Sequence, residues 1–335
     1  MLANWKEILD TANLSPDKPM DLVSRWLIIT RAAVFSMTLT SGLIGGLLAA
    51  AVAQDPNWLH FGLALVGLLL AHAANNMVND FFDMQQGVDT DDYARAQYAP
   101  HPVLSGLISK RGLLSAILIV NLIDALILIF FYVRNGWPVL VFALLGLFIS
   151  VFYVAPPIKL KHHGLGEPGV FVVWGPLMIG GTYYVTAGVL PSPGVWLASI
   201  PYALIVTTVL IGKHIDKREA DREKGILTLP VILGERFSIW LNVALMIAYY
   251  LVVILLVGIG ALGVWVLLVL IALPRLARVL KIYRQPRPAE PPPDFPIWPL
   301  WYVAAAFYHN KLAGILFVLG LIINLIFPLS VRLFG

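Results

Sequence analysis

The chain contains no cysteine, few charges and no long polar stretch. The missing cysteine removes disulfides, thiolate nucleophiles and thiolate metal sites. Charged residues make up 13% of 335, about half the share usual in a soluble domain, against 59% hydrophobic residues and a mean hydropathy of +0.83. That balance excludes a soluble globular enzyme and indicates a polytopic membrane protein. No nucleic-acid-binding motif or basic arm accompanies the formal charge of +4, so no nucleic-acid partner is expected. The first 22 residues are polar, and Ala51-Val52-Ala53 follows an apolar segment that begins too late for a cleaved leader, so the opening is expected to be retained.

What is abundant is apolar runs. Runs long enough to cross about 30 Å of hydrocarbon lie at 24–53, 58–82, 112–133, 137–156, 168–190, 195–215, 236–258, 260–280 and 310–330. The expected fold is an all-α polytopic membrane protein of nine transmembrane helices in one integral-membrane domain, 1–335. Within 1–22, Leu2, Trp5, Ile8, Leu9 and Ala12 share one side, as in a short helix lying in the interface. A proline-rich connector is expected over 284–309, where QPRPAEPPPDFPIWP reads as extended chain. The breaks AQDPN, RNGWP, LPSPG and GIGALG carry one basic residue between them, Arg134, whereas the alternate loops hold nearly all the rest. By the positive-inside rule the N-terminus and the charged loops face the cytoplasm, the C-terminus lies outside, and the plasma (inner) membrane is the expected location.

The longest polar interruption beside an apolar run is NNMVNDFFDMQQGVDTDD, 75–92. At 100° per residue Asn76, Asn79, Asp80 and Asp83 fall within an arc of roughly 100°, with Met77, Phe81 and Phe82 pointing away. Two carboxylates one turn apart repel unless a cation sits between them, and hard oxygen ligands of this kind suit Mg²⁺. A second acidic stretch, KHIDKREADREKG at 213–225, leaves another apolar run. On a helical wheel Asp216, Glu219 and Glu223 share one face, and His214, Lys217 and Asp221 another. Alone it reads as a solvated helix end laced by i, i+4 pairs. Beside the first stretch it completes a cradle for a diphosphate and its Mg²⁺ ions. Two acidic helix ends, after the second and sixth spans, also suggest a duplicated four-helix unit.

NDFFDMQQGVD (79–89), YVAPPIKLKHHGLGE (153–167) and DREKGILTLPV (221–231) resemble, in order and spacing, the signature stretches of the UbiA superfamily of intramembrane prenyltransferases. Within it the loop and motif forms are most similar to the 1,4-dihydroxy-2-naphthoate polyprenyltransferases. The resemblance implies a helical bundle around a central cavity, with two aspartate-rich motifs holding Mg²⁺ at its cytoplasmic end. It also implies a prenyl diphosphate donor, an aromatic, naphthoate-type acceptor and a site within the lipid bilayer. By position Asn76, Asp80 and Asp83 form the first metal and diphosphate site, supported by Asn79. In the second, Asp221 falls on the last aspartate, while Lys217 and His214 fall where many members carry aspartate or asparagine. Two readings stay open: Lys217 grips the diphosphate directly, or Asp216 turns inward and restores the carboxylate. Lys159, Lys161, Lys213, His214 and Arg31 are the other expected diphosphate ligands, with Arg31 or Lys161 able to hold an acceptor carboxylate instead. His101 is a further candidate contact, whereas His162 and His163 read as loop solvation.

The chemistry that fits has no protein nucleophile: the allylic C–O bond ionises and an electron-rich ring attacks the cation, shielded from water by apolar walls. Phe148, Phe152, Tyr153, Tyr183 and Tyr184 are candidate walls for that cation. A terpene cyclase on the same scaffold is the alternative, with a transporter a weaker one because the acids gather at one membrane edge. The motif of CDP-alcohol phosphotransferases is absent; Asp89 to Arg95 only superficially resembles it.

Overall fold

The apolar runs are helices in the computed structural model, which describes residues 1–88, 98–293, 295 and 297–330. Asp89 and the acidic residues after it, which complete the first motif, lie outside the described residues. The chain begins with α1 (Leu2–Thr11) and α2 (Leu22–Ile29), packed together through Ile8, Leu14 and Ile28. The apolar run expected at 24–53 is not one helix. It breaks at Thr30 and Arg31, makes a 3₁₀ turn (Ala32–Val34), and resumes as α3 (Phe35–Val52). Arg31 takes a left-handed φ of 53° there. Asn76 holds the break in place, its Nδ2 donating to the Thr30 carbonyl at 2.9 Å.

After α3 come α4 (Trp58–Gln85), α5 (Lys110–Asn135) and α6 (Pro138–Phe152). Next, α7 (Gly166–Val172) passes through a π turn around Pro176 into α8 (Met178–Ala187). Then follow α9 (Pro193–Asp216), α10 (Arg218–Glu223), α11 (Leu229–Leu233) and α12 (Glu235–Gly258). A 3₁₀ segment (Val264–Ala272) runs into α13 (Leu273–Tyr283), and α14 (Tyr302–Ile326) closes the bundle. Among the described residues, seven helical stretches are long and apolar enough to cross a membrane. The other two expected spans differ in form. α6 has 15 residues and reaches only about 22 Å. The 3₁₀ segment and α13, nine and 11 residues, together rise about 34 Å because 3₁₀ turns are stretched.

The connector is shorter than expected, since residues 302–309 are helical. YVAAAF forms helix well, and the polar His309 and Asn310 that interrupt the run are buried, His309 Nε2 lying 2.7 Å from Tyr250 Oη. Residues of α3, α8, α9, α12, α13 and α14 make one continuous core. By contrast α5 turns Leu118, Leu122 and Leu126 outward at 59–69% exposure, an apolar face that lipid satisfies. Between the dense half and this thinner wall lies a cavity of about 760 Å³.

Candidate active site

The two acidic stretches end their helices in the same way. In α4 the chain leaves through Gly87 at φ 66°, with Gly87 N–H donating to Met84 at 3.2 Å and Val88 N–H to the Asp83 carbonyl at 2.8 Å. In α10 it leaves through Gly225 at φ 69°, with Gly225 N–H donating to Arg222 at 3.0 Å and Ile226 N–H to the Asp221 carbonyl at 2.8 Å. Both are Schellman closures, and only glycine takes this left-handed turn without strain. The aliphatic residues that complete them, Val88 and Ile226, are buried against one another. Asp83 and Asp221 are therefore equivalent positions of one repeated device, brought together by its apolar tips. Lys224 Nζ reinforces the junction by donating to the Gly87 carbonyl at 3.2 Å.

The loop between α6 and α7 supplies the third side. Lys161 lies 3.1 and 3.3 Å from the two Asp83 oxygens, both side chains almost fully enclosed. Arg31, thrown inward by the break before α3, forms an ion pair with Asp80, which is fully buried. Tyr153, just past the end of α6, feels Asp83, Asp221 and Arg31. Burial, then the carboxylates of Glu167, Asp83 and Asp221, push its phenol well above the usual value, with Arg31 opposing. It stays a protonated donor. Gly166 makes room for its ring, since a Cβ there would come within 3.0 Å of it.

Arg31, Asn76, Asn79 and Lys213 line the cavity, whereas Asp80, Asp83, Lys161 and Asp221 sit behind that lining at its polar end. Asn79 Oδ1 is buried with no hydrogen-bond partner among the described residues, an oxygen suited to a hard cation. No three aspartate, glutamate or histidine side chains among the described residues stand close enough together to hold a bare metal ion. Arg31 and Lys161 instead sit against Asp80 and Asp83.

Several candidates have other occupations. Asp216 caps α14, accepting from Tyr302 N–H and Val303 N–H at 2.9 Å each, so it does not turn inward to the cluster. The orphan amides at the start of a buried helix need such an acceptor. Lys217 is buried, and its carbonyl accepts from Asp221 N–H at 2.8 Å. His214 is paired through Nδ1 with Glu167 Oε1 at 2.7 Å, both 2% exposed. Glu167 is not among the residues expected from sequence, although an acid at the start of an apolar run is a usable signal. His101 lies 3.2 Å through Nε2 from the Asp80 carbonyl, and its Nδ1 accepts from Val103 and Leu104 N–H. It braces the acidic helix end from the backbone side.

Lys159 is partly buried in a left-handed turn at φ 48°. Burial, helped by Lys161 and Lys159, pulls His162 down to about 4, so it adds no charge to the cradle at neutral pH. His162→Gln should accordingly change turnover less than about twofold across pH 6–8, checked by initial rates. Of the five aromatic candidates only Tyr153 lines the cavity. Phe148 is 45% exposed and pairs with Phe152, while Tyr183 and Tyr184 are packed in the bundle. Phe82, expected to point away, does line the cavity, whereas Met77 and Phe81 pack on α5.

With this arrangement in view, the profile of the UbiA prenyltransferase family matches residues 38–310. The chain belongs to the UbiA prenyltransferase family. It is similar to UbiA prenyltransferase domain-containing protein 1 of Danio rerio, 27% identical over 252 residues that cover 70% of each chain. It is also similar to the 1,4-dihydroxy-2-naphthoate octaprenyltransferase of Bacillus subtilis, 23% identical over 238 residues, covering 68% of this chain and 73% of that one. A UbiA homologue from Archaeoglobus fulgidus, solved with GPP and Mg²⁺, shares the fold at a TM-score of 0.61 and 15% identity, covering 87% of this chain and 99% of that one. Its membership of the UbiA family makes the chain an integral membrane prenyltransferase.

Proposed function

We propose that this UbiA-family enzyme moves a prenyl group from its diphosphate to an aromatic acceptor, with 1,4-dihydroxy-2-naphthoate as the preferred acceptor class and Mg²⁺ as cofactor. The observation that carries the reading is the repeated closure that brings Asp83 and Asp221 together beside Lys161, Arg31 and Tyr153 at the polar end of an apolar cavity. Asp80, Asp83, Asp221 and the Asn79 oxygen are the groups that would hold Mg²⁺, which when bound supplies positive charge against the departing diphosphate. Arg31 and Lys161 would trade carboxylate for phosphate oxygens as the donor enters, and buried Lys217 adds a third cation.

The cleaved C–O bond leaves its electrons on the diphosphate. The acceptor ring then forms the new C–C bond and gives up a proton. Apolar side chains around the cavity keep water from the cation. A carboxylated acceptor would meet Lys213, which lines the same cavity. The excess of basic residues in the alternate loops supports a cytoplasmic location for this end in the plasma membrane, with the N-terminus inside and the C-terminus outside.

The test uses purified protein in nanodiscs with a prenyl diphosphate and dihydroxynaphthoate, with product followed by mass spectrometry. Prenylated naphthoate is expected, lost on chelation and restored by Mg²⁺. Hydrocarbon released without an acceptor, or turnover indifferent to chelation, would count against it.

A further inference from the structure

The stripe of α4 that carries the acidic end continues deeper into the bundle. His72, Asn76, Asn79 and Asp83 follow one another at helical intervals and share one face, and the first three all line the cavity. By the rise of an α-helix His72 stands about 6 Å deeper than Asn76 and about 10 Å deeper than Asn79.

Its imidazole is held from several sides. Nδ1 lies 2.7 Å from Thr38 Oγ1 of α3, a fully buried hydroxyl with no other hydrogen-bond partner among the described residues. With no carbonyl to donate to, that hydroxyl gives its proton to Nδ1, and the ring proton therefore sits on Nε2. Phe35 and Trp174 flank the ring with centroids 5.3 and 5.2 Å from its own, Trp174 edge-on at 82°. Ser41, one turn along α3 from Thr38, donates to the Trp174 carbonyl at 2.6 Å and fixes the indole at the π turn before α8. Nε2 has no partner among the described residues, on a side chain only 5% exposed, and it diverges from Thr38 within the cavity wall. An N–H donor so enclosed costs stability until a ligand oxygen takes it.

We propose that His72, oriented by Thr38, recognises a ring hydroxyl of the aromatic acceptor, with Nε2 donating to the hydroxyl oxygen and Trp174 forming the wall beside the ring. The inference rests on the aromatic-acceptor reading above and names the residue that selects the acceptor. At reaction the attacking ring carbon stands about 3 Å from the donor's first carbon. A hydroxyl oxygen lies roughly 4 Å farther across the ring. Beneath a diphosphate held at Asn76 and Asn79, that oxygen reaches the depth of His72. A carboxylate on the same acceptor is better met by Lys213, leaving the imidazole N–H to the hydroxyl. An acceptor with hydrogen in that position leaves the donor buried and unpaired, the strongest ground on which a site refuses a substrate.

Acceptor ratios test this. Purified full-length protein in nanodiscs receives one prenyl diphosphate with 1,4-dihydroxy-2-naphthoate, 1-hydroxy-2-naphthoate or 4-hydroxy-2-naphthoate, and kcat/KM is measured for each by mass spectrometry of the product. A monohydroxy naphthoate that is not turned over is scored by its Ki against the dihydroxy compound. Intrinsic reactivity differs among the three, but that difference is common to every variant and cancels when ratios are compared between proteins. In His72→Phe the preference for the dihydroxy acceptor over one of the monohydroxy acceptors should shrink by about tenfold or more, chiefly through KM. A packing role for His72 would scale all three acceptors alike and leave the ratios unchanged. His72→Gln, whose amide donates from a similar place, should keep most of the preference, while Thr38→Val, which frees the ring without touching substrate, should lose about threefold or more of it. The KM for the prenyl diphosphate, which His72 does not contact, should stay within about twofold and reports folded protein. Equal ratios in wild type and His72→Phe overturn the proposal alone, as does a loss in His72→Gln as complete as in His72→Phe. Should His72→Phe fail to fold, Thr38→Val decides, and an unchanged ratio there overturns it. No product from wild type with any naphthoate overturns the acceptor reading, and the proposal with it.

Discussion

Asp83→Asn should lower prenyl transfer by about 10²–10³-fold while leaving the protein folded, since the charge facing the donor disappears and the shape does not. The choice of asparagine matters. Asp83 is partnered by Lys161, and both are nearly sealed from solvent. Asp83→Ala would leave a buried lysine uncompensated, at a cost of about 3–5 kcal/mol, so lost activity in that variant would mix chemistry with unfolding. Asparagine still accepts a hydrogen bond from Lys161 Nζ. A double variant, Asp83→Asn with Lys161→Met, tests the cost of the unpaired lysine: melting temperature should recover relative to Asp83→Ala. Full turnover in Asp83→Asn would remove this carboxylate from the proposed site.

The second large effect is a contrast between two aspartates five residues apart. Asp221→Asn is expected to cost about 10²–10³-fold in turnover with little change in melting temperature, because Asp221 is the counterpart of Asp83 in the repeated closure. Asp216→Ala should do the reverse. It removes the acceptor for two amides at the start of α14, each at 2.9 Å, and should destabilise the protein by about 2–3 kcal/mol. Turnover per folded molecule should stay within about twofold. Thermal unfolding in detergent alongside active-fraction kinetics reads both. Reversed effects would mean that Asp216, not Asp221, serves the donor.

The all-helical membrane class was legible in the sequence because hydropathy over 18 or more residues records the requirement that lipid-embedded backbone satisfy its own hydrogen bonds. The break before Arg31 was not legible. Hydropathy runs on through residues 24–53, and what stops the helix is Asn76, 46 residues away in sequence, drawing off the Thr30 carbonyl. The choice between Asp216 and Asp221 was hidden for a similar reason. A helical wheel assumes one continuous helix, whereas the chain leaves helical geometry at Lys217 (φ −103°, ψ 6°) and Asp216 is claimed by a distant helix start. The start of α14 is not legible because the connector expected over 284–309 ends on polar His309, which is buried within the helix. His72 is one polar residue inside an apolar run, and only Thr38 of α3, 34 residues away in sequence, gives its ring a direction in the cavity wall.

The paired glycine closures bear on how distant kin of this chain should be sought. The aspartate, the glycine four residues on and the aliphatic residue after it act as a single clasp, in which the acid supplies charge and the other two decide where it is carried. One residue inserted between Asp83 and Gly87 would keep every acid in the alignment and still dislodge the carboxylate, uncoupling the two halves of the molecule where Val88 meets Ile226. Genome surveys that count aspartates would accept such a sequence, and surveys that score the interval would reject it.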